Sequence, residues 1–276
     1  MIQSDRFAKW NPFDRECDFP RYAGPPAHQY LIASSQRSGS YLLSYLLRET
    51  GQLGFPLEYL HPEHAPMWRQ RFDVASMSEV MLKLFEWRTS PNGWFGIKAH
   101  WPHYVWARKQ GVDDVLRFGR FIRMERKDRL AQAVSLALAR KTGAWVSLQQ
   151  HGEAPPYDGA AIAGALDTLD RHSRAWDEWA RSNGIEPIRI LYEDLVSDPL
   201  GVVNRVLEEF GLDPVGELPP VPLKKQASAV NGEWIRKYNT RTERLKRTLK
   251  RAGKAVLPAR AAPGPRLHAS TDSSVG

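Results

Sequence analysis

The sequence lacks several features that would each point to a different kind of protein. It has a single cysteine, Cys17, so neither an intrachain disulfide nor a cluster of cysteine metal ligands can form. No apolar run approaches the ~20 residues that a membrane-spanning helix needs, and the first residues lack the cationic start and apolar core of a secretion signal. The phosphate loop G-x-x-x-x-G-K-[ST] is also missing, which argues against an ordinary ATP or GTP site with Mg²⁺. We therefore expect a cytoplasmic protein without such a site.

The positive charge is concentrated at one end of the chain. The formal net charge is +8, from 39 basic and 31 acidic residues. Residues 241–276 hold 9 of the basic and 2 of the acidic residues, which leaves 30 and 29 in residues 1–240. An anion site in this nearly neutral body must come from a few well-placed groups rather than from an overall field. We expect no nucleic-acid partner, and at most a weak contact of the basic end with a membrane surface.

The most informative segment is 29–50, in which a short apolar run is followed by Gln36-Arg37-Ser38-Gly39-Ser40 and then by a helical pattern. This order predicts a strand, a tight loop and the N-terminus of a helix. The free N–H groups and the positive dipole end of such a helix point at one spot, where Arg37 adds a full charge. The segment therefore predicts a site for a phosphate or a sulfate.

Strand-like and helical patterns alternate along the rest of the chain. Apolar runs at 30–34, 95–98, 118–124 and 188–192 are separated by helical patterns at 41–50, 78–88, 130–141 and 160–182. This alternation predicts an α/β fold, a mostly parallel sheet flanked by helices. Ligands of such sheets bind outside the carboxyl ends of the strands. Four predicted loops should meet there, at 36–40, 98–101, 125–128 and 192–194.

Two anion sites are expected in that cleft. Arg37, Ser38 and Ser40 suit a 5′-phosphoryl group at the helix N-terminus. Arg126, with Ser135 in the following helix, suits a second and separate phosphate. The sequence alone leaves open whether Arg126 instead forms a surface ion pair.

Six ordered segments resemble the bacterial trehalose 2-sulfotransferase family. They are YLIASSQRSGSYLLSYLL, GQLGFPLEYLHPE, WFGIKAHW, MERKDRLAQAVSLALARKTGAW, ILYEDL and KKQASAVNGEWIRKY, and they lie between residues 30 and 238. The resemblance implies a P-loop-like sulfotransferase fold at 28–240. The polar and aperiodic pattern of residues 1–27 predicts an irregular N-terminal arm, and the composition of 241–276 predicts a basic helix and a disordered tail. The resemblance also implies 3′-phosphoadenosine 5′-phosphosulfate (PAPS) as co-substrate, and a homodimer.

The resemblance assigns roles to individual residues. Those that it implies for donor binding are Arg37, Ser38, Gly39 and Ser40 at the 5′-phosphosulfate, and Arg126 and Ser135 at the 3′-phosphate. Gln36, together with the segment around Glu58, is expected to frame the acceptor pocket. Tyr41 stands where the family usually has threonine.

Two residues are candidates for the general base. Glu58 lies at the position that carries the base carboxylate in the family, by resemblance. His100 lies in Lys-x-His-x-Pro, which is similar to the lysine and catalytic histidine of animal cytosolic sulfotransferases, and histidine titrates near neutrality without help. We favour Glu58, with His100 as partner or substitute. Arg37 and Lys98 are the cations expected to stabilise the leaving group.

These observations predict a sulfotransferase that moves a sulfuryl group from PAPS to a hydroxyl of a carbohydrate, glycolipid or small metabolite by in-line transfer. No metal is expected, and we interpret His61, Glu63 and His64 as a polar loop. One alternative is a nucleotide kinase relative, which the missing lysine-bearing loop disfavours. The other is a noncatalytic basic protein that binds a membrane or nucleic acid through its tail.

Overall fold

A computed structural model describes residues 11–145, 155–219 and 229–240. The chain divides into two compact units, Met1–Ile235 and Arg236–Gly276, and only residues 236–240 of the second are described. The tail predicted at 241–276 lies outside the described residues, and the domain boundaries stay predictions. Within the described ranges, no helix has both the length and the apolar character that crossing a bilayer requires.

The core of the first unit is a four-stranded sheet in which every strand pair is parallel. Its strands are β1 (His28–Ser34), β2 (Trp94–His100), β3 (Arg120–Glu125) and β4 (Ile188–Leu191), in the order β2-β1-β3-β4. The helices are α1 (Ser40–Glu49), α2 (Ala65–Phe72), α3 (Met77–Arg88), α4 (Trp101–Arg108), α5 (Arg129–Thr142), α6 (Gly159–Ser182), α7 (Tyr192–Ser197), α8 (Pro199–Glu209) and α9 (Ala229–Tyr238). The predicted α/β architecture is confirmed.

Side chains of the central strand β1 enter two apolar clusters. Leu31 and Ala33 pack into one cluster, and Tyr30 and Ile32 pack into the other. Successive side chains of a strand point to opposite faces, so helices cover the sheet on both sides. This double burial explains why the strand reads as a continuous apolar run.

The strand order creates a crevice next to β1. From β1 the chain moves to β2 on one side, and from β2 it crosses to β3 on the other side of β1. Ligands of open α/β sheets bind where the strand order reverses in this way. The fold therefore brings the segments after β1 and β3, both predicted to bind anions, side by side.

Two local predictions were wrong. Strand β2 continues to His100 instead of ending at Lys98, because the charge that interrupts the apolar pattern is neutralised by Glu58 in the folded chain. Residue Tyr192 begins helix α7 rather than a loop.

The described part of the N-terminal arm, residues 11–27, is irregular except for a short 3-10 turn at Arg15–Cys17. Its Asp18 carboxylate contacts Arg88 Nε at 2.9 Å and Arg71 at 2.5 Å. The fully buried Arg88 side chain lies 5.9 Å from the ring centre of Tyr59, which follows Glu58 in the chain. The arm is thus anchored beside the segment that carries a predicted catalytic residue.

We expect Arg88→Met to lower the free energy of unfolding by about 3 kcal/mol, because removal of one partner leaves a buried charge uncompensated. This value is at the lower end of the usual range, since Arg71 still neutralises Asp18. Urea denaturation would measure the change. Arg21→Met, which breaks an exposed pair with Glu86, is the matched control and should cost less than about 1 kcal/mol. Equal losses in the two variants would contradict the expectation.

Candidate active site

The loop between β1 and α1 adopts a tight, partly left-handed conformation. Arg37 has φ 63° and Gly39 has φ 87°. A Cβ at position 39 would lie 2.3 Å from a ring carbon of Tyr192, so both the backbone angle and the close approach require glycine. The loop leads directly into α1, whose first N–H groups have no partner within the helix. The predicted anion-binding geometry is therefore present.

Two side chains from distant segments hold this loop. Gln132 Nε2 donates hydrogen bonds to Ser35 Oγ at 2.9 Å and to the carbonyl of Gln36 at 2.8 Å. Arg126 donates to the carbonyl of Arg37 at 3.3 Å. Sequence reasoning missed Gln132, although a polar residue in the buried stripe of α5 was a usable signal.

The Arg37 side chain reaches the residue predicted for the second anion site. Its Nε donates to Ser135 Oγ at 2.9 Å, and its guanidinium also donates to the carbonyl of Trp145. Burial, and then the nearby charge of Arg126, lower the pKa of Arg37 to about 10, so it stays cationic at neutral pH. Arg37, Arg126 and Ser135 thus form one basic cluster that borders both predicted anion sites.

Arg126 is placed by the segment after β4. Its guanidinium carbon lies 4.8 Å from the ring centre of Tyr192. Glu193 stays 4.0 Å from Arg126 and instead accepts hydrogen bonds from the N–H groups of Lys127, at 3.0 Å, and Asp128, at 3.3 Å. Glu193 therefore fixes the turn after β3 and leaves Arg126 available to a ligand.

Several polar atoms around the loop are buried and unpaired. Among the described residues, Ser38 Oγ, Gln36 Oε1 and Arg126 Nε have no hydrogen-bond partner. A buried polar atom left without a partner costs about 1–3 kcal/mol. Two of the three can donate to an anion, so these residues fit a phosphate-bearing ligand.

A second centre forms at the carboxyl end of β2. Lys98 N–H donates to the carbonyl of Leu57 at 3.0 Å, which holds Glu58 against the strand. Glu58 Oε1 lies 2.8 Å from Lys98 Nζ and 2.9 Å from His100 Nε2. Lys98 and His100 are two residues apart in a strand and so share a face. The two candidate bases therefore belong to one cluster.

The surroundings determine the protonation of this cluster. Burial alone would raise the pKa of Glu58, but Lys98 and His100 outweigh it and hold that pKa well below its ordinary value. His100 Nε2 faces the carboxylate, while Nδ1 lies 3.0 Å from Ser34 Oγ and 3.3 Å from the carbonyl oxygen of Ser34. Both ring nitrogens of His100 are thus occupied. The contacts with Lys98 and His100 are both made by Glu58 Oε1, so Oε2 is the candidate basic atom of the carboxylate.

The Lys98 side chain is fully buried and contacts an aromatic ring as well as Glu58. Its ammonium lies 3.2 Å from the ring centre of Tyr41, a close cation–π contact. Burial lowers the pKa of Lys98, and the adjacent Glu58 opposes that effect. The aromatic ring of Tyr41, at the position where the family usually has threonine, thus contacts the cluster of Glu58 and His100 through Lys98.

Further histidines surround Glu58. The ring centres of His61 and His103 are 4.1 Å apart, and those of His61 and His64 are 4.4 Å apart. One ligand atom from each of Glu58, His61 and His103 lies within 4.8 Å of the others. Sequence reasoning missed His103, which follows His100 by three residues. The interpretation of His61 as part of a plain polar loop did not anticipate this cluster.

The same three atoms have the spacing of a metal site, but two contacts oppose one. Lys98 already neutralises Glu58 at 2.8 Å. His61 Nδ1 accepts the N–H of Glu63 at 3.2 Å, which leaves the hydrogen of a neutral ring on Nε2 and blocks coordination there. The cluster is better suited to hydrogen bonding.

The chain matches a family model described as Stf0 sulphotransferase over residues 29–93 and 96–241. It is 28% identical over 264 residues to the trehalose 2-sulfotransferase of Mycobacterium tuberculosis, a match that covers 78% of this chain and 96% of the relative. It is 31% identical over 267 residues to that of Mycolicibacterium smegmatis, with the same coverage.

Among solved structures, the chain matches the sulfotransferase domain of the Synechococcus PCC 7002 olefin synthase. The TM-score is 0.43 and the identity 17%, over 80% of this chain and 98% of that one.

Proposed function

The chain belongs to the Stf0 sulfotransferase family and is an enzyme that transfers sulfuryl groups, and from this premise we propose that its donor is PAPS and its acceptor a hydroxyl of a carbohydrate, glycolipid or small metabolite. The observation that carries the proposal is the pairing of two sites. Unpaired buried donors line the crevice between β1 and β3, and the carboxylate of Glu58, whose pKa is held well below its ordinary value, lies at the neighbouring β2. The trehalose 2-sulfotransferases among its relatives favour a sugar.

The donor is assigned to the basic cluster. Ser38 Oγ and the N–H groups at Gly39 and Ser40 would hold the 5′-phosphosulfate, at the positive end of α1. Arg126 and Ser135 would bind the 3′-phosphate, with a planar guanidinium matched to phosphate oxygens. Arg37, bonded to Ser135 here, supplies charge between these two groups. PAPS contributes the activated sulfuryl group.

Glu58 is assigned as the general base. The acceptor hydroxyl donates to Glu58 Oε2 and loses its proton there, while its oxygen forms the new bond to sulfur and the bond from sulfur to the phosphate oxygen breaks. Protonation removes the charge that Lys98 had been neutralising at 2.8 Å. The Lys98 ammonium, together with Arg37, is then available to stabilise the charge that develops on the departing phosphate. Gln36 is assigned to the wall between donor and acceptor.

Product analysis would test the reaction class. Purified protein is incubated with PAPS and either trehalose or a bacterial metabolite extract, and mass spectrometry detects a gain of about 80 Da. Phosphoryl transfer gives nearly the same gain, so the donor carries ³⁴S, which moves only a sulfated product by a further two mass units. A parallel incubation with ATP and Mg²⁺ tests the kinase alternative.

The expected result is a ³⁴S-shifted product that Glu58→Gln forms far more slowly. Absence of any shifted product, or a product formed only from ATP, would overturn the proposal. The homodimer and the cytoplasmic location stay predictions.

A further inference from the structure

We propose that His61 and His103 determine which acceptor the enzyme accepts. They require a second hydroxyl on the carbon adjacent to the carbon whose hydroxyl is sulfated. The inference deepens the proposed function and rests on it. It starts from two histidines that the transfer chemistry does not use. It names the substrate class as a vicinal diol, the arrangement found around a sugar ring.

The three polar groups enclose a very small space. One atom from each of Glu58, His61 and His103 lies within 4.8 Å of the other two. A single oxygen at the centre of such a triangle would be at most about 2.8 Å from each corner, which is within reach of a hydrogen bond to a hydroxyl. This spacing matches one hydroxyl, or two on adjacent carbons.

The protonation of the rings decides what each can bind. His61 Nδ1 accepts the N–H of Glu63 at 3.2 Å, so Nε2 of the neutral ring is a donor. Burial first, and then the neighbouring His100, lower the pKa of His103 to about 3, so the His103 ring is neutral and carries one donor and one acceptor nitrogen. His103 Nδ1 is buried and, among the described residues, has no hydrogen-bond partner.

The valence of the attacking oxygen limits how many of these groups it can satisfy. Its hydrogen goes to Glu58 Oε2, and one lone pair forms the bond to sulfur. One lone pair remains, and the His61 N–H can use it. His103 is then without a partner unless a neighbouring hydroxyl supplies one. The geometry assigns His61 to the attacking oxygen and His103 to the adjacent hydroxyl.

The test pairs a change in the protein with a change in the sugar. The 2-hydroxyl of trehalose has one free neighbour, the 3-hydroxyl, so the probes are trehalose and 3,3′-dideoxytrehalose. Wild type should lose about 10- to 100-fold in kcat/KM on the deoxy sugar. His103→Ala should lose a similar factor on trehalose but no further factor on the deoxy sugar. His103→Asn, which keeps a donor and an acceptor, should recover part of the loss.

The controls separate contact from structure. His28→Ala, at the opposite end of β1, should keep the full preference for trehalose. Binding of 3′,5′-ADP and the melting temperature of each variant are measured in parallel.

A His103→Ala protein that binds 3′,5′-ADP normally but loses the same factor on both sugars overturns the inference and leaves the proposed function standing. Equal use of both sugars by wild type also overturns it. If wild type sulfates neither sugar, the inference fails, and the incubation with metabolite extract decides the proposed function separately.

Discussion

Replacement of Glu58 by glutamine is expected to lower kcat by about 10²-fold or more, because the amide cannot accept the proton of the acceptor hydroxyl. The shape of the side chain and its contact with His100 Nε2 are preserved, so donor binding should change little. Steady-state kinetics with PAPS and an acceptor that the wild-type enzyme sulfates would measure the loss. Glu63→Gln, an exposed carboxylate in the same loop, is the matched control and should behave as wild type.

The pH dependence of the reaction provides an independent check on this base. Lys98 and His100 keep the pKa of Glu58 well below its ordinary value. The Glu58 carboxylate of the free enzyme therefore remains ionised at acidic pH. Lys98→Met removes the buried cation, so the pKa of Glu58 rises and the acid limb of kcat/KM moves to higher pH. A Glu58→Gln enzyme that turns over normally while His100→Gln is inactive would make His100 the base instead.

Loss of either guanidinium at the crevice is expected to weaken donor binding strongly. Arg37→Ala and Arg126→Ala should each raise the Kd for 3′,5′-ADP by about 10- to 100-fold, since a hydrogen bond to a charged group contributes roughly 1.5–3 kcal/mol. Isothermal titration calorimetry would measure both. Arg126→Lys should recover part of the affinity, because it keeps the charge but not the planar pair of donors.

Arg120 offers the matched control, because it lies at the opposite end of β3 and is exposed. Arg120→Ala should leave the affinity unchanged. Because Arg126 donates to the carbonyl of Arg37, the double variant should lose less than the sum of the single losses. Unchanged affinity in both single variants would refute the assignment of the donor to this crevice.

Local patterns in the sequence carried much of this architecture. The apolar run of β1, the Gln36–Ser40 loop and the stripe of α1 lie within one short segment, and each specifies its own conformation. The rule that parallel strands present their carboxyl ends together then placed Arg37 and Arg126 in one cleft. Such inferences succeed because they need only local preferences and the topology of the sheet.

Contacts between side chains that are distant in the sequence could not be predicted from local patterns. Gln132 holds a loop almost a hundred residues earlier in the chain, and His103 meets His61 across two segments. Lys98 was misplaced for a related reason, since its burial in β2 depends on a carboxylate forty residues away. Periodicity does not encode which polar group will neutralise another. The direction of the Arg37 side chain, toward Ser135, is likewise set by packing and not by pattern.

The close packing of Gly39 against the ring of Tyr192 has a consequence for folding during translation. The ribosome completes the loop early, yet the side chains that shape it, from Arg126, Gln132 and Tyr192, are synthesised up to about 150 residues later. A nascent chain that ends before α7 therefore contains the entire loop sequence but lacks Tyr192, against which the loop packs. Capture by an immobilised nucleotide would report that translation has passed this helix, so stalled fragments should flow through such a resin while full-length chains are retained.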